Sequence, residues 1–464
     1  MRDTTDRPPT AVLVAVALPG VSDAQLEGDV AELARLVKTL GLEVIGQLTQ
    51  RRDRLSPATV VGEGKLLELA EWTGGDGDTT PSIPGRDKAL QRRARRQPSD
   101  AEDIEDVEDE DVQSQAAGHD RKAEVVVVDH ELTPRMQRNL ERATGAEVLD
   151  RTHVIVEIFH RHAKSREARL QVEIARLTYV APRLREAGAG GDRQRGGIGG
   201  KGAGESALEL DRRKIRDRIA ELRRELATIE REQTTRRAAR GDQRRVALVG
   251  YTNAGKSSMM RALTSSGVHV EDKLFATLDT TVRALRPETT PRILVSDTVG
   301  FIKKLPHELV ASFRSTLDEA LEASLLLYVV DAADPTFREQ LEVTREVLAE
   351  IGARAVPSRL LLNKCDRLDP EQREALAAEF PDALLVSAHD PNDVEQVRAA
   401  IVTFFDGELS YEQLFIPYHA QAMVSRVYED VKVLSERHDE HGTTLEIQGP
   451  RDTLMRIRQR LSLS

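Results

Sequence analysis

The chain has 464 residues and a formal net charge of −11, with 39% hydrophobic residues and a single cysteine. That length leaves room for roughly three domains at about 150 residues each. One cysteine excludes an intramolecular disulfide and a cysteine-based zinc cluster, the acidic balance argues against uniform attraction to nucleic acid, and its Arg-rich, Lys-poor surface resembles proteins of salt-adapted cells. No 18-residue apolar run occurs and Met1–Asp6 lack a signal-peptide core, so a cytoplasmic protein with no membrane contact is expected.

Residues 11–18 form an apolar strand, followed by a helix with Leu26, Val30, Leu33 and Val37 on one face and a second strand near 42–48. These open an N-terminal α/β domain, 1–150, whose later strand is Val125–Val128. Between them, 73–122 holds a Gly-Asp run, a basic cluster from Arg86 to Arg96 and an acidic tract from Asp100 to Asp111, with almost no apolar mass. Too little apolar surface is available there to offset chain entropy, so a disordered insertion is expected. Gly62-Glu63-Gly64-Lys65 lacks phosphate-loop spacing and reads as a helix-opening turn.

From 151 to 241 the pattern is helical. Leu170, Ile174, Leu177 and Ala181 recur at 4-3-4 spacing, and Ile215, Ile219, Leu222, Leu226 and Ile229 at 4-3-4-3, amid dense Arg and Glu, which predicts an antiparallel hairpin. Its connection, 188–204, has nine glycines in seventeen residues together with Arg193, Arg195 and Lys201. A basic, sterically thin loop on a rigid hairpin suits a narrow RNA-lined space; without aromatic residues it does not suit sequence reading by base stacking.

Gly250-Tyr251-Thr252-Asn253-Ala254-Gly255-Lys256-Ser257 is the phosphate-loop pattern, behind the apolar strand Val246–Val249 and ahead of Ser258 in a helix. Glycines let backbone N–H groups approach phosphate oxygens, Lys256 bridges the outer phosphates and Ser257 offers its hydroxyl to Mg²⁺. Asn253 could add a donor to K⁺. Phe275 and Thr277 begin a switch segment that ends in Thr280-Thr281, with Thr281 the preferred Mg²⁺ ligand and Thr280 its competitor. Asp297-Thr298-Val299-Gly300 closes the strand Ile293–Val295; Asp297 suits a water-mediated Mg²⁺ contact and the Gly300 N–H suits the γ-phosphate. Lys256, Thr281 and Gly300 are therefore the candidate catalytic residues. Phe301 stands where many small GTPases place a water-orienting Gln, so slow intrinsic hydrolysis, raised by a partner, is expected.

The run Ser324–Asp331 suits a central parallel strand, and 336–351, 370–379 and 390–405 read as helices. Asn363-Lys364-Cys365-Asp366 follows the apolar run Leu360–Leu362, and Asp366 can accept two hydrogen bonds from guanine where adenine would leave it unpaired. The choice is thus GTP over ATP, with Ser387-Ala388 behind the base. The GTPase domain is placed at 242–407, on a mainly parallel sheet with helices on both faces. Residues 408–464 read as a small α+β domain: Phe415-Ile416-Pro417, a helix-like stretch to about Arg437, a strand at 442–447 and a closing helix. His438 and His441 read as solvated turn residues.

These boxes, Phe275–Thr281, Asp297–Ile302, and outside them Asp150-Arg151-Thr152, Ile155–Phe159, Ala163–Arg169 and Gly196-Gly197-Ile198-Gly199, resemble the HflX family of GTPases over nearly the full length. The acidic insertion at 99–112 and Thr280, where the family often has Pro, depart from it. The resemblance implies an N-terminal domain, a hairpin and a GTPase domain that bind the large ribosomal subunit and its rRNA near the peptidyl-transferase region, acting on stalled or inactive ribosomes and able to split them. A monomer with no DNA partner is expected. An NTP-driven RNA remodeller, or a switch for a protein partner, is the alternative.

Overall fold

The computed structural model describes residues 7–79, 121–187, 207–238, 244–265, 274–275, 281–304, 319–407 and 409–461. They divide into two compact units, 1–158 with 179–213, and 159–178 with 214–464.

In the first unit, strands β1 (Thr10–Ala17), β2 (Glu43–Arg51), β3 (Val125–Val128) and β4 (Glu147–Asp150) form a parallel sheet in the order β2-β1-β3-β4. β1 and β3 are buried at every position, which is why their sequences are continuous apolar runs rather than alternating ones. The helix Asp23–Thr39 starts with a Ser22–Gln25 capping box and covers the sheet with Val30, Leu33, Leu36 and Val37. Gly62 caps the helix Glu63–Thr73, as the helix-opening reading requires.

The stretch 73–122 needs a correction at its start. Residues 74–79 are packed against the unit: Gly77 N donates to Ala143 O at 2.9 Å, and Gly75 lies so close to Ala143 and Thr144 that a Cβ would stand 2.2 Å from the Ala143 carbonyl. A composition argument misses this because backbone contact, not apolar side-chain mass, holds the segment. Residues 80–120, with the acidic tract, lie outside the described residues.

The helices Arg166–Ala187 and Ala207–Ala238 carry the hairpin periodicity. Leu170, Ile174 and Leu222 bury together, with Leu177, Ile219, Leu226 and Ile229 against them. Ion pairs Arg166–Glu225 and Arg218–Glu173 run in opposite chain directions, so the helices are antiparallel. The Gly-rich connection 188–204 lies outside the described residues.

The GTPase sheet has the order β10-β9-β8-β5-β7-β6, from β5 (Arg244–Val249), β6 (Thr281–Ala284), β7 (Ile293–Asp297), β8 (Leu325–Asp331), β9 (Ser358–Asn363) and β10 (Leu384–Leu385). Among the described strands of this sheet, only β6 is antiparallel to its neighbour. The expected helices appear at Phe337–Glu350, Pro370–Glu379 and Pro391–Gly407.

Beyond it, β11 (Leu409–Pro417), β12 (Lys432–His438) and β13 (Gly442–Pro450) form an antiparallel sheet, β11-β13-β12. Here the helix-like stretch to Arg437 is corrected: the helix is Ala422–Asp430, and Lys432–His438 is a strand. A register shift between Val433 and Ser435 breaks its alternation, which hides the period-two signal. His438 ends β12 with Nδ1 3.0 Å from Thr443 Oγ1, and the His441 N–H donates to Asp439 in the turn.

One buried ion cluster anchors the first unit. Arg151, 3% exposed, donates to Asp129 at 2.7 Å and to Glu32. Removing the guanidinium leaves two carboxylates buried without their cation. Arg151→Met is expected to destabilise this unit by about 3–5 kcal/mol. Trp72, the chain's only tryptophan and part of this core, reports it by fluorescence during denaturant unfolding; an unchanged midpoint would refute the assignment.

Candidate functional site

Apolar strands deliver polar residues to one edge of the GTPase sheet. β5 ends at Val249, β7 at Asp297, β8 at Asp331 and β9 at Asn363, and the loops leaving these ends form the site. Parallel strands with crossover helices place their ligand-facing loops at the carboxyl edge.

The phosphate loop is locked from both sides. Gly250 passes Val329 so closely that a Cβ would stand 2.1 Å from its carbonyl oxygen, and Gly255, at φ +96, leaves 2.1 Å between that position and Asn363 Nδ2. Only glycine fits such approaches, and the left-handed turn at Gly255 opens the helix Lys256–Thr264. Thr252 N donates to Phe301 O at 2.8 Å and Phe301 N to Gly250 O at 3.1 Å, tying the loop to the segment after β7. Tyr251 contributes through its backbone; its buried side chain accepts from Lys303 N at 2.6 Å. Ser258 is half-buried in the first turn of the helix.

Lys256 is buried, and its Nζ donates to the carbonyls of Gly250 (3.0 Å) and Tyr251 (2.7 Å). Burial pushes its pKa down to about 8, with Asp297 opposing the shift. Ser257 Oγ donates to Asp297 Oδ2 at 2.6 Å. Thr281 stands directly across from Asp297 in the β6–β7 register, so the three residues proposed around Mg²⁺ converge. Thr281, the last residue of the expected switch segment, opens the strand β6. Gly300 sits over the phosphate loop: a Cβ there would lie 2.8 Å from Thr252 Cα and 3.0 Å from Lys256 Nζ. Phe301 is buried with both backbone polar groups engaged.

Phe275, at the start of the expected switch segment and expected to meet the nucleotide, instead has its buried ring edge-on to Phe159 at 4.5 Å between centroids. It has φ +57, an uncommon conformation for an aromatic residue. Thr277 and Thr280 lie outside the described residues.

The base box joins the phosphate loop through two side chains. Asn363 Nδ2 donates to Ala254 O at 2.8 Å, and its Oδ1 accepts from Ala388 N at 3.1 Å. Lys364 Nζ donates to Asn253 O and to Asp331 Oδ2, both at 2.7 Å. Asp366 is exposed, and a hydrogen bond from the Ser387 side chain holds its pKa below the ordinary value, so the carboxylate stays ionised and oriented. Sequence reasoning missed two supports. Asp331 was visible as the polar residue closing an apolar strand, while Asp393, which accepts from Ser387 N at 2.7 Å, gave no signal.

A pocket of this kind cradles phosphates with backbone amides and one lysine, and reads a purine with a carboxylate. A family model described as 50S ribosome-binding GTPase matches residues 245–364, one described as GTP-binding GTPase middle region matches 162–240, and one described as GTP-binding GTPase N-terminal matches 27–79 and 89–160. GTPase HflX of Gluconacetobacter diazotrophicus is 59% identical over 98% of this chain and 98% of its own. GTPase HflX of Escherichia coli is 35% identical, covering 97% and 96%. Among solved structures, a GTP-binding protein from Sulfolobus solfataricus in complex with GDP is similar with 24% identity and a TM-score of 0.41, over 85% of this chain and 98% of that one. Identity at this level along nearly the whole length, together with the matching family models, places the chain in the HflX family of GTPases, as a GTP-binding and GTP-hydrolysing enzyme.

Proposed function

We propose that this GTPase acts on the large ribosomal subunit, contacting rRNA through its helical hairpin, and that it rescues stalled or inactive ribosomes or splits them into subunits. The observation that carries this reading is the antiparallel hairpin, whose apolar seam is narrow and whose remaining faces are dense in Arg and Glu. The 50S ribosome-binding description of the matching family model supports the same partner. A rigid rod with such faces can reach into an RNA-walled space while the nucleotide pocket gates its affinity. In a protein partner's switch, the second reading, a Gly-rich basic connection would have no evident use.

In the chemistry, Lys256 neutralises the outer phosphates, the loop amides hold them in place, and the Gly300 N–H reads the γ-phosphate. The donor set fits Mg²⁺, with the hydroxyls of Ser257 and Thr281 as ligands beside Asp297; the ion would supply charge neutralisation at the β- and γ-oxygens. Phe301 offers no polar group to a water, so intrinsic turnover is slow and a partner that reshapes the switch segments accelerates it.

Three outcomes are expected. The phosphates of GTP raise the pKa of Lys256 from about 8 by replacing a desolvated position with a counter-charge. Binding near pH 8 therefore takes up about half a proton, and affinity falls as pH rises through that window. Calorimetry in buffers of different ionisation enthalpy measures the uptake; proton release would contradict the assignment. Sedimentation with ribosomal subunits is expected to be stronger with a GTP analogue than with GDP and to be lost on deleting 190–202, with large subunits raising GTP hydrolysis at least about tenfold. Pelleting indifferent to both changes would move the reading to a protein partner. Asn253, exposed at the loop with φ +60, is the proposed K⁺ donor; equal hydrolysis rates in K⁺ and Na⁺ would remove that role.

A further inference from the structure

Among the described residues, the sheet β11-β13-β12 is covered on one side only. Leu414, Ile416, Leu445 and Ile447 pack against Val427 of the helix Ala422–Asp430 and Leu454 of the helix Arg451–Leu461. On the opposite side, Tyr411 is 72% exposed and Phe415 is 45% exposed. Four residues apart on β11, they lie on the same face, about 13 Å from one another.

Each ring faces a cation across the sheet. Tyr411 and Lys432 flank Gln448 in one cross-strand row, and Phe415 and Arg437 flank Thr444 in another. Two strand spacings, about 10 Å, separate ring from cation in each row. Neither Lys432 nor Arg437 has an ion-pair partner among the described residues. Both rings are held in place from one side, leaving the other open. Gln448 Nε2 donates to the Tyr411 hydroxyl at 3.0 Å, and the Phe415 ring lies over Gly442, where a Cβ would come within 2.8 Å of it. Glu446 stands between the two rows, opposite Gln413.

We propose that this face is a stacking platform for unpaired RNA, a second RNA contact separate from the hairpin; it takes the source of that RNA from the ribosome reading above. Aromatic faces on an open sheet stack bases of any identity, and a cation beside each ring meets the backbone phosphate that accompanies the base. The lone carboxylate of Glu446 favours unpaired strands over a duplex: it repels a continuous phosphate track, yet accepts hydrogen bonds from the amino and imino groups of a splayed base. A protein partner would satisfy the rings equally well but gives no reason for a cation in both rows.

The test uses the full chain lacking 190–202, so that the hairpin loop does not mask the signal, with a fluorescein-labelled unstructured octaribonucleotide followed by anisotropy. Y411A/F415A is expected to weaken binding about tenfold per ring, whereas Y411F/F415Y, which keeps both stacking faces, restores it. K432A/R437A is expected to reduce the magnitude of the salt-dependence slope by about 1.4. GTP hydrolysis without RNA stays unchanged in all three variants. Octamer binding unaffected by Y411A/F415A overturns the platform. Loss of large-subunit sedimentation when Y411A/F415A is placed in the intact chain, with octamer binding unchanged, overturns it too, in favour of a protein contact. If the octamer shows the expected losses while the intact chain fails to sediment with subunits, the platform stands and the ribosome reading falls.

Discussion

The amide of Asn363 is the constraint on which the site depends. It is 1% exposed and spends its donor on Ala254 of the phosphate loop and its acceptor on Ala388 behind the base. One side chain thereby fixes the distance between the glycine-rich loop 250–257 and the loop at 387–388. Gly255 has no side chain because this amide occupies the space, so the glycine spacing of the phosphate loop and the first residue of the base box, 108 positions apart, answer to one contact. An apolar residue at 363 would leave a buried carbonyl and a buried N–H unsatisfied, each costing about 1–3 kcal/mol.

Around this clamp, the stiff and the adjustable parts divide along the sheet. β5, β8 and β9 lie in its interior, and their polar ends hold Lys364 on Asp331 and Asn253. Thr281 is on β6, a four-residue strand paired only to β7. A short edge strand has one set of ladder hydrogen bonds to lose, so the residue proposed as the metal ligand is carried by the element that moves most cheaply.

How far the sequence was legible follows from what kind of contact each feature uses. Continuous apolar runs announced β1, β3, β5 and β8 because strands buried on both faces leave no alternation to misread. The phosphate loop and base box were legible because glycine, lysine and carboxylate at fixed spacing have few other uses. Legibility failed where geometry rather than composition decides. The bulge beside Leu434 made a strand read as helix, and backbone packing of Gly75 and Gly77 made an ordered segment read as loose. Asp393 gave no signal, because an acid in the first turn of a helix has many ordinary uses and only loop geometry sets it on Ser387 N; Phe159 lies in the run Ile155–Phe159 that resembles the family, but nothing announced its contact with Phe275, 116 positions away.

Phe159 matters most among these. It lies on the helix Arg151–His162, which begins with the buried Arg151 and leads into the hairpin. Its ring holds Phe275 of the first switch segment, and both rings are buried. Phe275, were it displaced, has two options. It keeps this contact and carries that turn of helix with it, or it breaks the contact and exposes both rings at about 1.5–3 kcal/mol each. The positive φ of Phe275 shows that the ring is held there against local backbone preference, by packing. The contact has a definite place in the chain: Phe159 lies eight residues downstream of Arg151 and seven upstream of the first hairpin helix.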